Sequence, residues 1–386
     1  MRPSKRLDRI PPYLFAELER KVAAKRAAGV DVISLGIGDP DMPTYAPIVA
    51  AAQRAVADPS THTYPSNRGR PEFRQAVADF YARRFGVTLD PDTEVMPAIG
   101  AKECIFNLNL AFLDPGDAAL AADPGYPVYT GGPLLAGAEA VLMPLLGERG
   151  FAPDLTVIDD ADLDRARLMF LNYPNNPTGA VVPDGLFASA IELARAAEFL
   201  IVHDNAYSET TYDGYVAPSF LATPGAKDVG VEVFSLSKGY NMTGWRCAAI
   251  VGNADAISQY WRLKSNIDSG LFDAVQLAGA KALSPELDAE VRAMNDVYAR
   301  RRDLVCDALA QAGVEVSRPQ ATIYVWAPVP DGFASSAEYC EHVLEHAGVV
   351  ISPGGAYGPN GEGFFRISLT TPDERLLEAV ERIRRL

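Results

Sequence analysis

The chain has 386 residues, of which 48% are hydrophobic and 22% charged, and its formal net charge is −15 at pH 7. This composition is typical of a folded globular protein, and the negative charge argues against nucleic acid or an anionic membrane surface as the partner. No run approaches the roughly 20 apolar residues of a membrane span, no secretory signal follows the basic start, and the four cysteines form no C-x-x-C pair, so we expect a cytoplasmic protein with reduced, buried cysteines.

Short apolar runs alternate with amphipathic stretches through the first three quarters of the chain. Helical spacing of apolar residues is clear in 183–198, and a second helix is predicted over 103–112. Continuous apolar strands separated by such helices indicate a mainly parallel sheet covered on both faces. The predicted strands are 94–99, 118–122, 140–143, 168–171, 199–202, 231–236 and 248–251, the second being poor in β-branched residues.

We therefore predict an α/β protein with a large domain, 45–284, built on a mainly parallel seven-stranded sheet between helices. A smaller α+β domain would combine residues 1–44 and 285–386, with a long helix over 285–312, strands at 323–326, 349–351 and 364–368, and a final helix from Pro372. His342 and His346 lie four apart, but the glutamates beside them favour a solvated helix face, and no metal site is expected. Ligand sites in such sheets lie at the carboxyl ends of the strands.

The first two strands of the large sheet are each followed by a candidate binding motif. Gly100-Ala101-Lys102-Glu103 opens a predicted helix, and the free N–H groups of a helix start attract phosphate. The segment from Asp123 to Tyr129 ends the strand 118–122 and can place an aromatic face against a planar ring.

Two polar segments follow the next two strands. Asn176 lies in the Pro- and Gly-rich loop 172–179, and its side-chain amide can donate a hydrogen bond to a phenolate oxygen of a bound ligand. The loop is equally consistent with a simple turn. Asp204 ends an apolar strand and needs a cationic partner, which a protonated pyridine nitrogen would supply, unless the carboxylate caps a helix. Tyr207 is placed to reach the same phenolate as Asn176.

Lys238 follows the strand 231–236, with Ser235 and Ser237 just before it and Arg246 eight residues after it. A lysine in this setting can condense with an aldehyde cofactor while Ser235 and Arg246 bind its phosphate. These are the parts needed to hold pyridoxal 5′-phosphate. Ser235-x-x-Lys238 also matches an acyl-transferase motif, but the K-T-G and S-D-N elements of those enzymes do not occur in this sequence.

Arg366 lies inside the predicted strand 364–368 between apolar residues. A buried guanidinium pairs well with a carboxylate, which it can bind through two parallel hydrogen bonds. Since no acidic neighbour is obvious in the sequence, a substrate carboxylate is the favoured partner, and a structural ion pair is the alternative.

These motifs follow one order at successive strand ends, and with them the chain resembles the class I and II, fold type I, pyridoxal-phosphate-dependent aminotransferases. The resemblance covers nearly the whole length and is most specific in 172–179 and 235–246. Within that family the chain looks most like the L,L-diaminopimelate aminotransferases. The segments behind this narrower resemblance are 11–15, 35–41, 64–66, 240–246 and 266–270.

The resemblance implies roles for individual residues. The catalytic residues would be Lys238, which would bind the cofactor covalently and move the α-proton, together with Asp204 and Tyr207. The cofactor would be bound by Ala101, Lys102, Tyr126, Asn176, Asp204, Tyr207, Ser235, Ser237, Lys238 and Arg246, with Tyr64 reaching in from the partner subunit. The substrate would be bound by Tyr13, Gly38, Lys102, Asn176, Ser269 and Arg366.

The resemblance also implies a homodimer with a shared active site that exchanges amino groups between small amino acids and 2-oxo acids. The favoured reaction converts L,L-diaminopimelate and 2-oxoglutarate reversibly to tetrahydrodipicolinate and glutamate, a step of lysine biosynthesis. An aspartate or broad-specificity aminotransferase of the same family is the alternative.

Overall fold

The computed structural model describes residues 2–10 and 14–386, and Tyr13 lies outside these ranges. The strands are β1 Ile33–Ser34, β2 Val95–Ala98, β3 Ala118–Asp123, β4 Glu139–Leu146, β5 Ala152–Pro153, β6 Ala166–Leu171, β7 Leu200–Asn205, β8 Gly230–Ser235, β9 Ala248–Gly252, β10 Tyr324–Pro328, β11 Val349–Val350, β12 Ser352–Pro353 and β13 Phe364–Ser368.

The helices are α1 Leu14–Ala27, α2 Ala46–Ala57, α3 Pro71–Phe85, α4 Ala101–Phe112, α5 Val128–Ala136, α6 Asp160–Arg165, α7 Leu186–Ala197, α8 Ala226–Val229, α9 Leu236–Gly239, α10 Ala254–Lys264, α11 Asp273–Ala282, α12 Asp288–Gln311, α13 Ser336–Ala347 and α14 Asp373–Arg384. None of those found in the described ranges has the length and apolar character to cross a membrane.

The large sheet has the strand order β2-β9-β8-β7-β6-β3-β4-β5. Strands β4, β3, β6, β7 and β8 run parallel to one another, whereas β9 is antiparallel to both of its neighbours. The α/β prediction and all seven predicted strands are confirmed. The number of strands was wrong by one, because β5 adds a two-residue strand antiparallel to the edge strand β4, too short to leave a periodic signal in the sequence.

Helices cover both faces of this sheet, which explains why its strands are apolar on both sides. On one face Phe80 of α3 and Ile191 of α7 pack into a buried cluster with the strands. On the other face Leu108 of α4 and Ile257 of α10 belong to a second buried cluster. Because β2, β3, β6, β7 and β8 point the same way, their carboxyl ends form one edge, at which the motifs after these strands are brought together.

A smaller group of strands and helices has a core of its own. Strands β10, β13 and β12 form an antiparallel sheet, and β1 pairs in parallel with β11. Val305 of α12, Val343 of α13 and Leu376 of α14 pack in its core. The division at 44/45 and 284/285 stays a prediction. The four cysteines are buried and free, as expected.

Candidate active site

A cavity of about 360 Å³ opens at the carboxyl edge of the large sheet, between that edge and strands β10 and β13. Twelve of the predicted site residues line it, although they come from separate parts of the chain. They are Gly38, Ala101, Lys102, Tyr126, Asn176, Asp204, Tyr207, Ser235, Ser237, Lys238, Arg246 and Arg366.

Among the described residues, two predicted site residues do not line this cavity. Tyr64 is 88% exposed, and Ser269 is also exposed. Their segments contact each other, since a Cβ built on Gly270 would lie 3.1 Å from the carbonyl oxygen of Ser66. Within a single chain, Tyr64 and Ser269 are therefore not part of the walls of this cavity.

Asp204 carries the most unusual carboxylate of the cavity. It lies within β7 and is buried, so the interpretation as a helix cap is wrong. Its Oδ2 accepts a 2.8 Å hydrogen bond from the hydroxyl of Tyr129, whereas its buried Oδ1 has no partner among the described residues. Burial raises the pKa of Asp204 to about 6, although Tyr129 and the neighbouring His203 act in the opposite direction.

A buried polar network on the other face of β7 holds this strand in place. Side chains alternate along a strand, so His203 and Asn205 point away from Asp204. Both bind Glu232 of β8, His203 through Nδ1 at 2.9 Å and Asn205 through Nδ2 at 2.8 Å, and Tyr81 donates to the same carboxylate at 2.6 Å. Burial opposes ionisation of Glu232, but these bonds, led by that from His203, lower its pKa. Sequence reasoning missed this network, for which the glutamate inside the apolar run 231–236 was the available signal.

A second group of residues lining the cavity, around the start of α4 and Arg246, is suited to bind an anion. The backbone N–H groups at the start of α4 face it, and Arg246 lies beside Gly100. Gly100 has φ +80°, and a Cβ there would lie 1.9 Å from Nη2 of Arg246, so a larger residue would strain the backbone and displace the guanidinium. Ser235 and Ser237 add two buried hydroxyls at the end of β8.

Lys238 lines the cavity as well. Its amine donates a 2.5 Å hydrogen bond to the carbonyl oxygen of Gly38. Removal from water lowers the pKa of this amine, and the charges of Arg366 and Arg246 act in the same direction. A lysine with a lowered pKa has a larger neutral fraction near neutral pH, which is the form that attacks a carbonyl. Burial also lowers the pKa of Lys102, whose amine lies 5.8 Å from the centre of the Tyr126 ring.

Arg366 is buried with its charge unpaired by any carboxylate of the described residues, so the structural ion pair considered from the sequence is wrong. Its Nη1 donates to Oδ1 of Asn176 at 2.7 Å and its Nη2 to the carbonyl oxygen of Gly36 at 2.8 Å. Nε has no partner within the described part of the chain. A guanidinium held this way by neutral groups can still attract a ligand carboxylate.

Tyr324 and Tyr357 also line the cavity, and sequence reasoning did not single them out. The guanidinium carbon of Arg366 lies 3.9 Å from the centre of the Tyr324 ring and 4.9 Å from that of Tyr357. Trp326 pairs with Arg366, so Tyr324, two residues earlier in β10, lies diagonally across from the arginine on the same face. Period-two alternation along the predicted strand 323–326 was the signal that could have found Tyr324.

The chain is similar to known proteins along nearly its whole length. The family profile described as aminotransferase class I and II matches residues 30–383. The chain is 54% identical to an LL-diaminopimelate aminotransferase of Desulforudis audaxviator, over 99% of this chain and 97% of that one. It is 53% identical to an LL-diaminopimelate aminotransferase of Moorella thermoacetica, over 100% of this chain and 98% of that one. A substrate-bound structure of BacF from Bacillus subtilis superposes with a TM-score of 0.96 at 38% identity, covering 100% and 98% of the two chains.

Replacing Gly100 tests the anion-binding end. Gly100→Ala places a methyl group against the Arg246 guanidinium and strains the positive φ, so we expect inorganic phosphate to bind about tenfold more weakly or worse, as measured by titration calorimetry. Gly244→Ala is the matched control, because a Cβ at Gly244 meets nothing within 4 Å. Equal phosphate affinity in the two variants would contradict the assignment.

Proposed function

The chain belongs to the class I and II aminotransferases, and from that membership we propose that it uses pyridoxal 5′-phosphate to transfer an amino group from L,L-diaminopimelate to 2-oxoglutarate, reversibly. The products are tetrahydrodipicolinate and glutamate, which makes this a reaction of lysine biosynthesis. The substrate assignment rests on the sequence identity of 54% and 53% to two proteins named LL-diaminopimelate aminotransferase, along nearly the whole of the aligned chains. This likeness favours diaminopimelate over the aspartate or broad-specificity alternative.

The residues of the cavity fit pyridoxal 5′-phosphate. The Oδ1 of Asp204, which has no partner among the described residues, would accept a hydrogen bond from a protonated pyridine nitrogen. Ala101 and Lys102 at the start of α4, with Ser235, Ser237 and Arg246, would hold the phosphate. Asn176 already accepts from Arg366 through its oxygen, so the donor it has to offer a phenolic oxygen is its amide nitrogen. Tyr207 would be the second donor, and Tyr126 would stack on the ring.

Bound pyridoxal phosphate supplies the electron sink that allows an amino acid to lose its α-proton. Lys238 would attach to its aldehyde and, once released by the incoming amino group, take that proton and return it during the second half of the reaction. The lowered pKa of Lys238 suits both tasks, because the neutral amine is the nucleophile and the base. Asp204, as a carboxylate, would keep the pyridine nitrogen protonated.

Substrate binding would use the opposite wall of the cavity. Arg366 would pair with the α-carboxylate, and Asn176 and the backbone at Gly38 would complete its contacts. Lys102 would contact the distal end of the substrate together with Tyr13, which lies outside the described residues. The overall anionic charge of the protein does not oppose this, since the cavity itself carries Lys102, Lys238, Arg246 and Arg366.

We also propose a homodimer in which each subunit completes the site of the other. Tyr64, with 88% of its surface exposed, would reach the phosphate in the partner subunit, and Ser269 would reach the partner's substrate. The contact between their segments supports a role for both residues at the same site of the partner subunit, because they belong to one surface region outside the chain's own cavity.

A panel of amino donors tests the proposed substrate. Purified protein loaded with pyridoxal phosphate is given L,L-diaminopimelate, aspartate, glutamate or an aromatic amino acid, with a common 2-oxo acid acceptor. We expect kcat/KM to be highest for L,L-diaminopimelate by at least about tenfold, which corresponds to one well-placed charged contact at the distal end. A preference for aspartate would overturn the substrate while leaving the aminotransferase assignment intact.

Mixed dimers test the shared site. Lys238→Ala and Tyr64→Ala homodimers should each be nearly inactive at limiting pyridoxal phosphate. If Tyr64 serves the partner, a hybrid of the two chains contains one site with both residues intact, so dissociating and reassociating equal amounts should restore activity towards about one quarter of the native value. If each subunit used its own Tyr64, no hybrid site would be complete, and mixing would restore nothing.

A further inference from the structure

Tyr324 links two groups that the proposed function treats separately, the carboxylate-binding Arg366 and the phenol-binding Tyr207. The centre of its ring lies 3.9 Å from the Arg366 guanidinium carbon, which is within the range of a cation–π interaction. Its hydroxyl lies 3.2 Å from the hydroxyl of Tyr207, which is within hydrogen-bond distance. All three side chains are buried. One side chain therefore contacts the charge that receives the substrate and the hydroxyl that would contact the cofactor.

The backbone around Tyr324 preserves this contact. A Cβ built on Gly38 would lie 2.0 Å from the Tyr324 hydroxyl oxygen, so any larger residue at position 38 would push that hydroxyl away. Two bonds tie the start of β10 to the segment after β7: the hydroxyl of Tyr212 donates to the carbonyl oxygen of Thr322, and the N–H of Thr322 donates to the carbonyl oxygen of Thr210. The N–H of Tyr324 donates to the hydroxyl oxygen of Thr322 within the same segment. Tyr324 is thus held between Gly38 and Tyr207 by its own strand.

The direction of the hydroxyl bond depends on what Tyr207 contacts. Tyr207 donates to Tyr324 in this structure. A phenolate oxygen accepts hydrogen bonds and cannot donate one, so Tyr207 must turn its hydrogen towards the cofactor when it binds there. Tyr324 then becomes the donor to Tyr207. Because hydrogen bonds in a chain polarise one another, this bond strengthens the bond that Tyr207 donates to the cofactor.

The charges around Tyr324 favour that donor role. Burial alone would raise the pKa of Tyr324, but the positive charges of Arg366 and Lys238 help to lower it below its ordinary value, and these charges act whichever hydroxyl donates. Burial and the contact with Tyr324, by contrast, raise the pKa of Tyr207. The more acidic hydroxyl is the better donor, so Tyr324 is the natural donor of the pair. Tyr357, the other ring on Arg366, has no hydrogen-bond partner for its hydroxyl among the described side chains.

We propose that Tyr324 is a positioning residue that transmits the charge state of Arg366, through Tyr207, to the phenolic oxygen of the cofactor; the proposal rests on the function proposed above. While Arg366 is unpaired, Tyr324 donates strongly and Tyr207 in turn withdraws charge from that oxygen. When a substrate carboxylate neutralises Arg366, both bonds weaken. The proton on the Lys238 nitrogen is then held more firmly, because the oxygen beside it carries more negative charge.

Absorbance titration of the protein loaded with pyridoxal phosphate tests this link. Visible absorbance reports whether the Lys238-linked nitrogen carries its proton. Tyr324→Phe keeps the ring on Arg366 and removes only the hydroxyl, so we expect its titration midpoint to rise by roughly half a pH unit, as the loss of one modest hydrogen bond predicts. Tyr357→Phe is the matched control, since it removes a hydroxyl from the other ring on Arg366 without touching Tyr207, and its midpoint should equal the native one.

Two further titrations identify the route. In a Tyr207→Phe background, adding Tyr324→Phe should cause no additional shift, because the residue through which Tyr324 acts is already lost. Succinate, an unreactive dicarboxylate that can pair with Arg366, should raise the native midpoint and raise that of Tyr324→Phe by a smaller amount. A native midpoint in Tyr324→Phe, or an undiminished shift in the Tyr207→Phe background, would overturn the inference. A native chain that develops no visible absorbance with pyridoxal phosphate would instead overturn the proposed function.

Discussion

A buried carboxylate with one oxygen left without a partner is the constraint on which this site depends. Asp204 lies in the middle of the large sheet, and its Oδ1 is shielded from water and unpaired among the described residues. Leaving such a group alone costs on the order of several kcal/mol. The raised pKa of Asp204 expresses this cost, since the carboxyl group resists ionisation until a cation approaches. A planar cationic ligand such as the proposed cofactor would relieve the cost, and the other residues of the cavity are suited to bind the rest of that ligand.

Arg366 presents the opposite charge to the same cavity. It is buried between two tyrosine rings, and within the described part of the chain it is hydrogen-bonded by neutral oxygens and by no carboxylate. Lys238 lines the same cavity as Asp204 and Arg366, and its pKa is lowered. A cofactor with a cationic ring and a substrate with a carboxylate, bound together, would pair with both charges. The reacting carbon of the substrate would then lie near Lys238. Parallel strands make this possible, because their carboxyl ends bring residues distant in sequence to one edge.

The sequence predicted the parts that obey local rules. Apolar runs located the seven main strands, and polar residues after them identified Lys238, Asp204 and Asn176. The apolar run before Asp204 ends at Val202, yet β7 continues to Asn205 because Asn205 pairs with Phe234 of β8, and only that pairing excludes a helix cap. The contacts of Tyr324 and the Glu232 network were not predictable in the same way. They join residues far apart in the chain, and no local spacing records such contacts.

The affinity of the cofactor-free protein for pyridoxal phosphate, measured as a function of pH and compared with that of Asp204→Asn, shows whether the Asp204 carboxylate binds a cationic ring. Asp204 is ionised above its pKa of about 6 and protonated below it, so the attraction to a pyridinium is present at pH 8 and lost at pH 5. Phosphate ionisation near pH 6 affects both proteins equally. We expect native affinity to fall by about tenfold more than that of the Asn variant between pH 8 and 5, and we expect the Asn variant to bind more weakly at pH 8. Superimposable pH profiles with equal affinities would contradict this expectation.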